Sequence, residues 1–140
     1  MVVVDAGLVV ALLVPDPRQA IVARQFRTWL NADVQLHAPA VLPYEVLNVL
    51  ARQVWDKQLA PDRAGACWMD LRQLDLAVHA FDDLSDGPRA LAVAQRLGRR
   101  HATDCAYVAL AERLGAEVWT IDQPLARAAQ SAGMPVHLLE

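Results

Sequence analysis

The sequence predicts an α/β fold, a three-layer α/β/α sandwich around a mostly parallel sheet of four to five strands. Three observations carry that expectation. Short apolar, β-branched runs alternate with longer stretches of helical periodicity along the whole chain, the pattern that parallel strands with crossover helices require. Two of those runs end in an aspartate, VVVD at 2–5 and EVWTID at 117–122, and open parallel sheets bind ligands beyond the carboxyl ends of their strands. Hydrophobic residues make up 55% of the 140 residues, enough to cover both faces of a sheet in a chain the size of one ordinary domain. No linker, internal repeat or low-complexity segment divides residues 1–140.

In order, residues 1–4 are a continuous apolar run, as a central strand covered on both faces should be. Asp5 ends it, Ala6-Gly7 turns the chain, and residues 8–14 read as a short helix. Pro15-Asp16-Pro17 breaks and restarts helical structure, with Asp16 as N-cap and Pro17 at the first helical position, and the helix runs to about Leu30. Residues 34–38 are the second strand, closed by Pro39. A helix from Leu42 or Pro43 follows, with Val46, Leu47, Leu50, Val54 and, at its end, Trp55 expected inward, and Glu45 and Asn48 three apart near its start. Residues 61–73 form another helix, and residues 74–80 the third strand. Asp86 reads as the N-cap of a helix ending near Gly98. Arg99-Arg100-His101 is a basic loop before a helix capped by Thr103, with Asp104 in its first turn and Gly115 stopping it. The strand at 117–121 ends at Asp122, a short helix stops at Gly133, and residues 135–139 are the last strand.

Composition narrows function. A net charge of −3 lacks the strong basic footprint of duplex-DNA binders, although a local basic face can sit beside an acidic site. Twelve of the thirteen basic residues are arginines and only Lys57 is a lysine, a bias that suits phosphate contacts and is also expected of a GC-rich coding sequence. Cys67 and Cys105 show no pairing pattern and read as buried thiols of a reducing compartment. The apolar N-terminus is short, interrupted by Asp5 and without a basic flank, so neither a signal peptide nor a membrane span is expected, and the location expected is cytoplasmic. His37, His79, His101 and His137 lack ligand spacing and read as core or surface histidines. Trp29, Trp55, Trp68 and Trp119 read as core or interface residues, with Trp55 and Trp68 flanking a pair of helices that offers a surface to a partner.

Three other folds with an early strand fail on residues. A haloacid-dehalogenase-like phosphatase needs a second aspartate where Gly7 stands. A phospho-receiver needs a lysine at the sheet edge, and Lys57 lies elsewhere. A dinucleotide-binding fold needs a GxGxxG turn after the first strand, which is absent.

Four acids remain. Asp5 and Asp122 end strands, Glu45 and Asp104 sit in first helical turns, and right-handed crossovers bring all four to one sheet edge. A capping role alone would also explain Asp104 and Asp122. Gathered carboxylates repel one another, so cations or raised pKa values must compensate. An all-oxygen site suits hard divalent ions such as Mg²⁺ or Mn²⁺, the equipment of metal-assisted phosphodiester hydrolysis. Asn48 and Thr120 are placed to orient the carboxylates, and Arg99 and Arg100 to meet an RNA backbone.

The segments VVVDAGLVVALL, HAPAVLPYEVLNVLARQ and TDCAYVALAERLGAEVWTIDQPLARAA, in that order, resemble the PIN-domain ribonucleases, and within them the toxins of VapBC toxin–antitoxin systems. The resemblance covers nearly the whole chain. Its strength lies in the ordered combination D…ExxN…TDxxYxALAExLG…TxD. It implies a PIN-like fold and a metal-dependent endoribonuclease acting as the toxin of a type II toxin–antitoxin pair. Asp5, Glu45, Asp104 and Asp122 match the family's acidic quartet that holds Mg²⁺ or Mn²⁺, and Asn48 and Thr120 match its polar companions. The partners implied are an RNA substrate, a cognate antitoxin and a second copy in a homodimer, with no membrane. Ala6 departs from the pattern, standing where many relatives carry Ser or Thr. The competing reading is a catalytically silent PIN-like binding module acting through protein or RNA interaction.

Overall fold

A computed structural model describes residues 1–140 and shows twelve elements in chain order. They are β1 (Val2–Val4), α1 (Ala6–Leu13), α2 (Gln19–Asn31), β2 (Leu36–Pro39), α3 (Leu42–Trp55), α4 (Pro61–Gln73), β3 (Leu76–His79), α5 (Asp86–Leu97), α6 (Cys105–Leu114), β4 (Glu117–Thr120), α7 (Gln123–Ser131) and β5 (Val136–Leu138). The five strands form one sheet in the order β3-β2-β1-β4-β5, and every pairing is parallel.

That order fixes where the helices lie. The chain steps from β1 to β2 to β3 in one direction, then crosses back to β4 and on to β5 in the other. Right-handed crossovers therefore put α1–α4 on one face and α5–α7 on the other. Two contacts agree with this. Trp29 of α2 meets Trp119 of β4 edge to face at 5.2 Å on the first side, and Arg96 of α5 donates to the Ala132 carbonyl at the end of α7 at 2.9 Å on the second. β1 lies at the centre, and Val3 and Val4 are fully buried, as the unbroken apolar run requires. Around it a single cluster of 31 buried apolar residues fills both interlayer spaces. Fully burying a side chain such as Leu8 or Leu42 stabilises the fold by about 1.5–3 kcal/mol. No helix is long and apolar enough to cross a membrane.

The ends of three helices differ from expectation. α2 begins at Gln19, not Pro17, because Asp16 spends its carboxylate on Arg18, accepting the Arg18 backbone N–H at 2.7 Å as well as its side chain. Asp86 is the first residue of α5, not its cap. Its carboxylate accepts the Asp82 N–H at 3.0 Å and pairs with Arg113 at 2.9 Å, tying α5 to α6. α6 starts at Cys105, so Asp104 occupies the cap position expected of Thr103, and its side chain makes no capping bond. The stops at Gly98 and Gly115 are as expected, both in the left-handed conformation at φ of 61° and 63°, where a side chain would be strained. Cys67 and Cys105 are buried free thiols.

Candidate active site at the carboxyl edge of the sheet

The strand order reverses between β1 and β4, and there the chains leaving two neighbouring strands diverge and open a crevice. Asp5 and Asp122 stand at its floor. Both are helix caps: Asp5 Oδ1 accepts the Leu8 N–H at 2.7 Å and Asp122 Oδ1 accepts the Leu125 N–H at 2.8 Å. Thr120, the last residue of β4 and fully buried, joins them. Its hydroxyl donates to Asp5 Oδ2, and the same oxygen accepts the Asp122 N–H at 2.8 Å. The caps that start α1 and α7 thus use the same side chains that line the cavity, so capping does not take these two acids out of it.

The walls come from helices. Glu45 lies in the first turn of α3, and Asp104 at the start of α6. One turn into α6, the buried Tyr107 donates its hydroxyl to Glu45 Oε2. Asp5, Glu45, Asp104 and Asp122 all line one cavity of about 690 Å³.

Burial is the main cause of the shifted protonation equilibria. It pushes Asp5 up to about 6, with the Asp122 and Glu45 charges adding and the Thr120 and Leu8 hydrogen bonds opposing. Glu45 is raised by burial and by Asp104, against the Tyr107 hydrogen bond. The Tyr107 phenol, buried beside the Glu45 carboxylate, is held well above its ordinary range and stays a donor. A carboxylate cavity in this state takes up either protons or a cation.

The donors are oxygens throughout, which fits a hard divalent ion. No three His, Cys, Asp or Glu side chains are gathered tightly enough to form a ligand set by themselves. Mg²⁺ does not require one, because it binds through one or two carboxylates and fills its shell with water and substrate phosphate. Asp104 makes no competing hydrogen bond to a cap, and each carboxylate oxygen of Asp5 retains a second lone pair.

The structure brings together the four acids and Thr120 and leaves three other expected residues outside. Asn48 is exposed and does not line the cavity. From α3 the cavity is lined by Glu45, Val49 and Arg52, the i, i+4, i+7 row, so the i+3 position points off it. Arg99 and Arg100 do not line it either. The Arg99 N–H bonds back to the Ala94 carbonyl at 2.9 Å, so the left-handed turn at Gly98 folds this pair onto the end of α5. The sequence pattern does not single out Tyr107 or Arg18 for the site, and it gives Asp16 only a capping role. The Tyr107 signal was present in its spacing, three residues after Asp104. Nothing local marks Arg18 as facing a strand end more than a hundred residues away.

Comparison with known proteins agrees with this architecture. A family model described as "PIN domain" matches residues 2–130. Ribonuclease VapC3 of Mycobacterium tuberculosis (strain ATCC 25618 / H37Rv) is 37% identical over 133 residues, covering 94% of this chain and 89% of that protein. Ribonuclease VapC3 of Pyrobaculum aerophilum is 32% identical over 129 residues, covering 89% and 91%. Among solved structures, FitAB bound to an IR36 DNA fragment superposes with a TM-score of 0.71 at 15% identity, covering 99% of this chain and 94% of that one, a likeness of fold.

Proposed function

From the premise that this chain belongs to the PIN-domain family, we propose that it is a Mg²⁺- or Mn²⁺-dependent endoribonuclease, the toxin of a type II toxin–antitoxin pair. The relatives named ribonuclease support cleavage of RNA. The observation that carries the reading is the convergence of Asp5, Glu45, Asp104 and Asp122 on one cavity, with Asp5 raised to about 6.

Asp5, Asp104 and Asp122 would hold the ion, with Glu45 joining directly or through water. When bound, such an ion supplies positive charge to a phosphodiester and to the oxygens that gain charge as it is hydrolysed. The chain's own residues do the rest. Thr120 holds Asp5 and the Asp122 backbone in fixed relation, and Tyr107 holds Glu45. Glu45, its proton affinity raised, is suited to accept a proton from an attacking water. The test is cleavage of single-stranded RNA by wild type and Asp104→Asn, with Mg²⁺ and with EDTA. Cleavage only by wild type with Mg²⁺ is expected. Undiminished cutting by D104N, or in EDTA, overturns the reading, and RNA binding without any cleavage favours a silent binding module.

The assembly proposed is a homodimer whose cleft is covered by a segment of a cognate antitoxin. Support comes from the outward face of α3, where Tyr44, Leu47 and Trp55 are exposed, Trp55 by 85%, at spacings that make one apolar stripe. Light scattering should show a dimer that Trp55→Glu converts to monomer.

A further inference from the structure

We propose that Arg18 grips the phosphate backbone of the nucleic acid at the acidic cavity, and that Asp16 positions it. This rests on the nuclease reading and names the group by which its substrate is held. Arg18 lines the same cavity as the four acids, yet its only ion pair is with Asp16 and not with any of them. Its guanidinium is held from one side by Asp16, Nε to Oδ1 at 3.0 Å and Nη2 to Oδ2 at 2.9 Å. The third nitrogen, Nη1, reaches only the Ile121 carbonyl, at a long 3.4 Å.

Several facts make this more than a surface ion pair. Asp16 sits between Pro15 and Pro17, whose fixed φ angles stiffen the loop that carries it. Asp16 is the less exposed partner, with 18% of its side chain accessible against 51% for Arg18, so the anion anchors and the cation is presented. The Ile121 carbonyl is one residue before Asp122, which places Nη1 beside the turn that carries that acid. A guanidinium fixed through one edge, with its other donors turned to a cavity, is prepared for phosphate oxygens, which it meets in a planar fork that lysine lacks. Arg52 lines the cavity too but has no side-chain partner to orient it. Four carboxylates would repel an RNA backbone, and Arg18 is the one oriented cation at the cavity to receive it.

The experiment is binding of a fluorescein-labelled single-stranded RNA of mixed sequence, in EDTA so that no strand is cut, over a series of salt concentrations. Arg18→Gln should weaken binding roughly tenfold and lower the slope of log affinity against log salt by about 0.7, one phosphate contact on a single strand. Arg18→Lys should restore the slope without restoring the affinity. Replacing both Arg99 and Arg100 by Gln should leave the slope unchanged. Asp16→Asn supplies a test of sign. If Arg18 acts only as loose charge, removing a neighbouring anion strengthens binding; if Asp16 positions it, binding weakens. Far-UV circular dichroism accompanies each variant. Wild-type slope in folded R18Q, or tighter binding by D16N, overturns the proposal and leaves the nuclease reading standing. Wild type that binds no RNA in EDTA also overturns the proposal, while the nuclease reading stands or falls on cleavage with Mg²⁺.

Discussion

Two polar pairs stand on the same face of the sheet, and they have opposite fates. Between β1 and β4, Asp5 meets Thr120; between β2 and β3, His37 Nδ1 lies 2.8 Å from His79 Nε2. The register Val3↔His37, Val3↔Val118 and His37↔Ala77 puts all four side chains on one side. One member of each pair is driven toward its neutral form chiefly by burial, Asp5 upward and His37 downward. Only the first opens onto the acidic cavity. The difference lies in topology rather than in the side chains. β1 and β4 flank the reversal of strand order and open at their carboxyl ends, whereas the cavity of about 710 Å³ that His37 lines lies toward the amino ends of β2 and β3, away from the acids. Burial makes a group chemically unusual; the strand order decides whether it meets the other acids.

The largest expected effect tests the cavity side. Asp104→Asn should lower RNA cleavage by at least about a hundredfold, the scale of losing a positioned catalytic group, while its melting temperature holds or rises, since Asp104 makes no capping bond to lose. A fall in melting temperature with cleavage preserved would move Asp104 to a purely structural role.

Next comes the pH dependence, where the two pairs pull in opposite directions. In the metal-free protein, Asp5 binds its proton more tightly folded than unfolded, 3.8 rising to about 6. Its contribution therefore favours the fold below pH 4 and is lost as pH rises to 6, by as much as roughly 3 kcal/mol. His37 is lowered from 6.5 by burial and by the nearby His79 and N-terminal amine. Its unfolded form binds the proton more tightly, so its contribution is present above pH 6.5 and lost on acidification. Urea titrations across this range should find that Asp5→Asn flattens the loss of stability with rising pH, Glu45 keeping a share of the same sign, and that His37→Phe removes the His37 share of the loss on acidification.

Smaller effects separate the pairs further. Thr120→Val leaves Asp5 Oδ2 and the Asp122 N–H without their shared partner, which should cost about 1–3 kcal/mol and reduce cleavage together. His79→Phe removes the only partner His37 has, and its Nε2 is already unpaired. That should cost roughly 1–2 kcal/mol and leave cleavage as in wild type. Reduced cleavage in His79→Phe would show that the flank and the crevice are coupled.

How much was legible in the sequence follows the same division. An aspartate after an apolar run is visible locally, and parallel topology then forces Asp5 and Asp122 to one edge, so the fold and the quartet could be read without coordinates. Asn48 could not be placed, because i+3 and i+4 neighbours share a face on a helical projection and only the tilt of α3 against the sheet separates them. Arg99 and Arg100 were expected at the site for being near Asp104 in the chain, but a single left-handed residue at Gly98 redirects them. His37 and His79 met because of strand register, and Arg18 because a loop after α1 folds against the end of β4. Relations of that kind depend on the packed layers, not on any local pattern.

The central place of β1 has one further consequence, in the order of manufacture. Asp5 is translated well before its β4 neighbour and Asp122, which emerge more than a hundred residues later. A nascent chain has one acid of the floor, no crevice and no Thr120 to hold it. The cavity is complete only once the residues through β4 and Asp122 have left the ribosome, so a product interrupted before them has no assembled site.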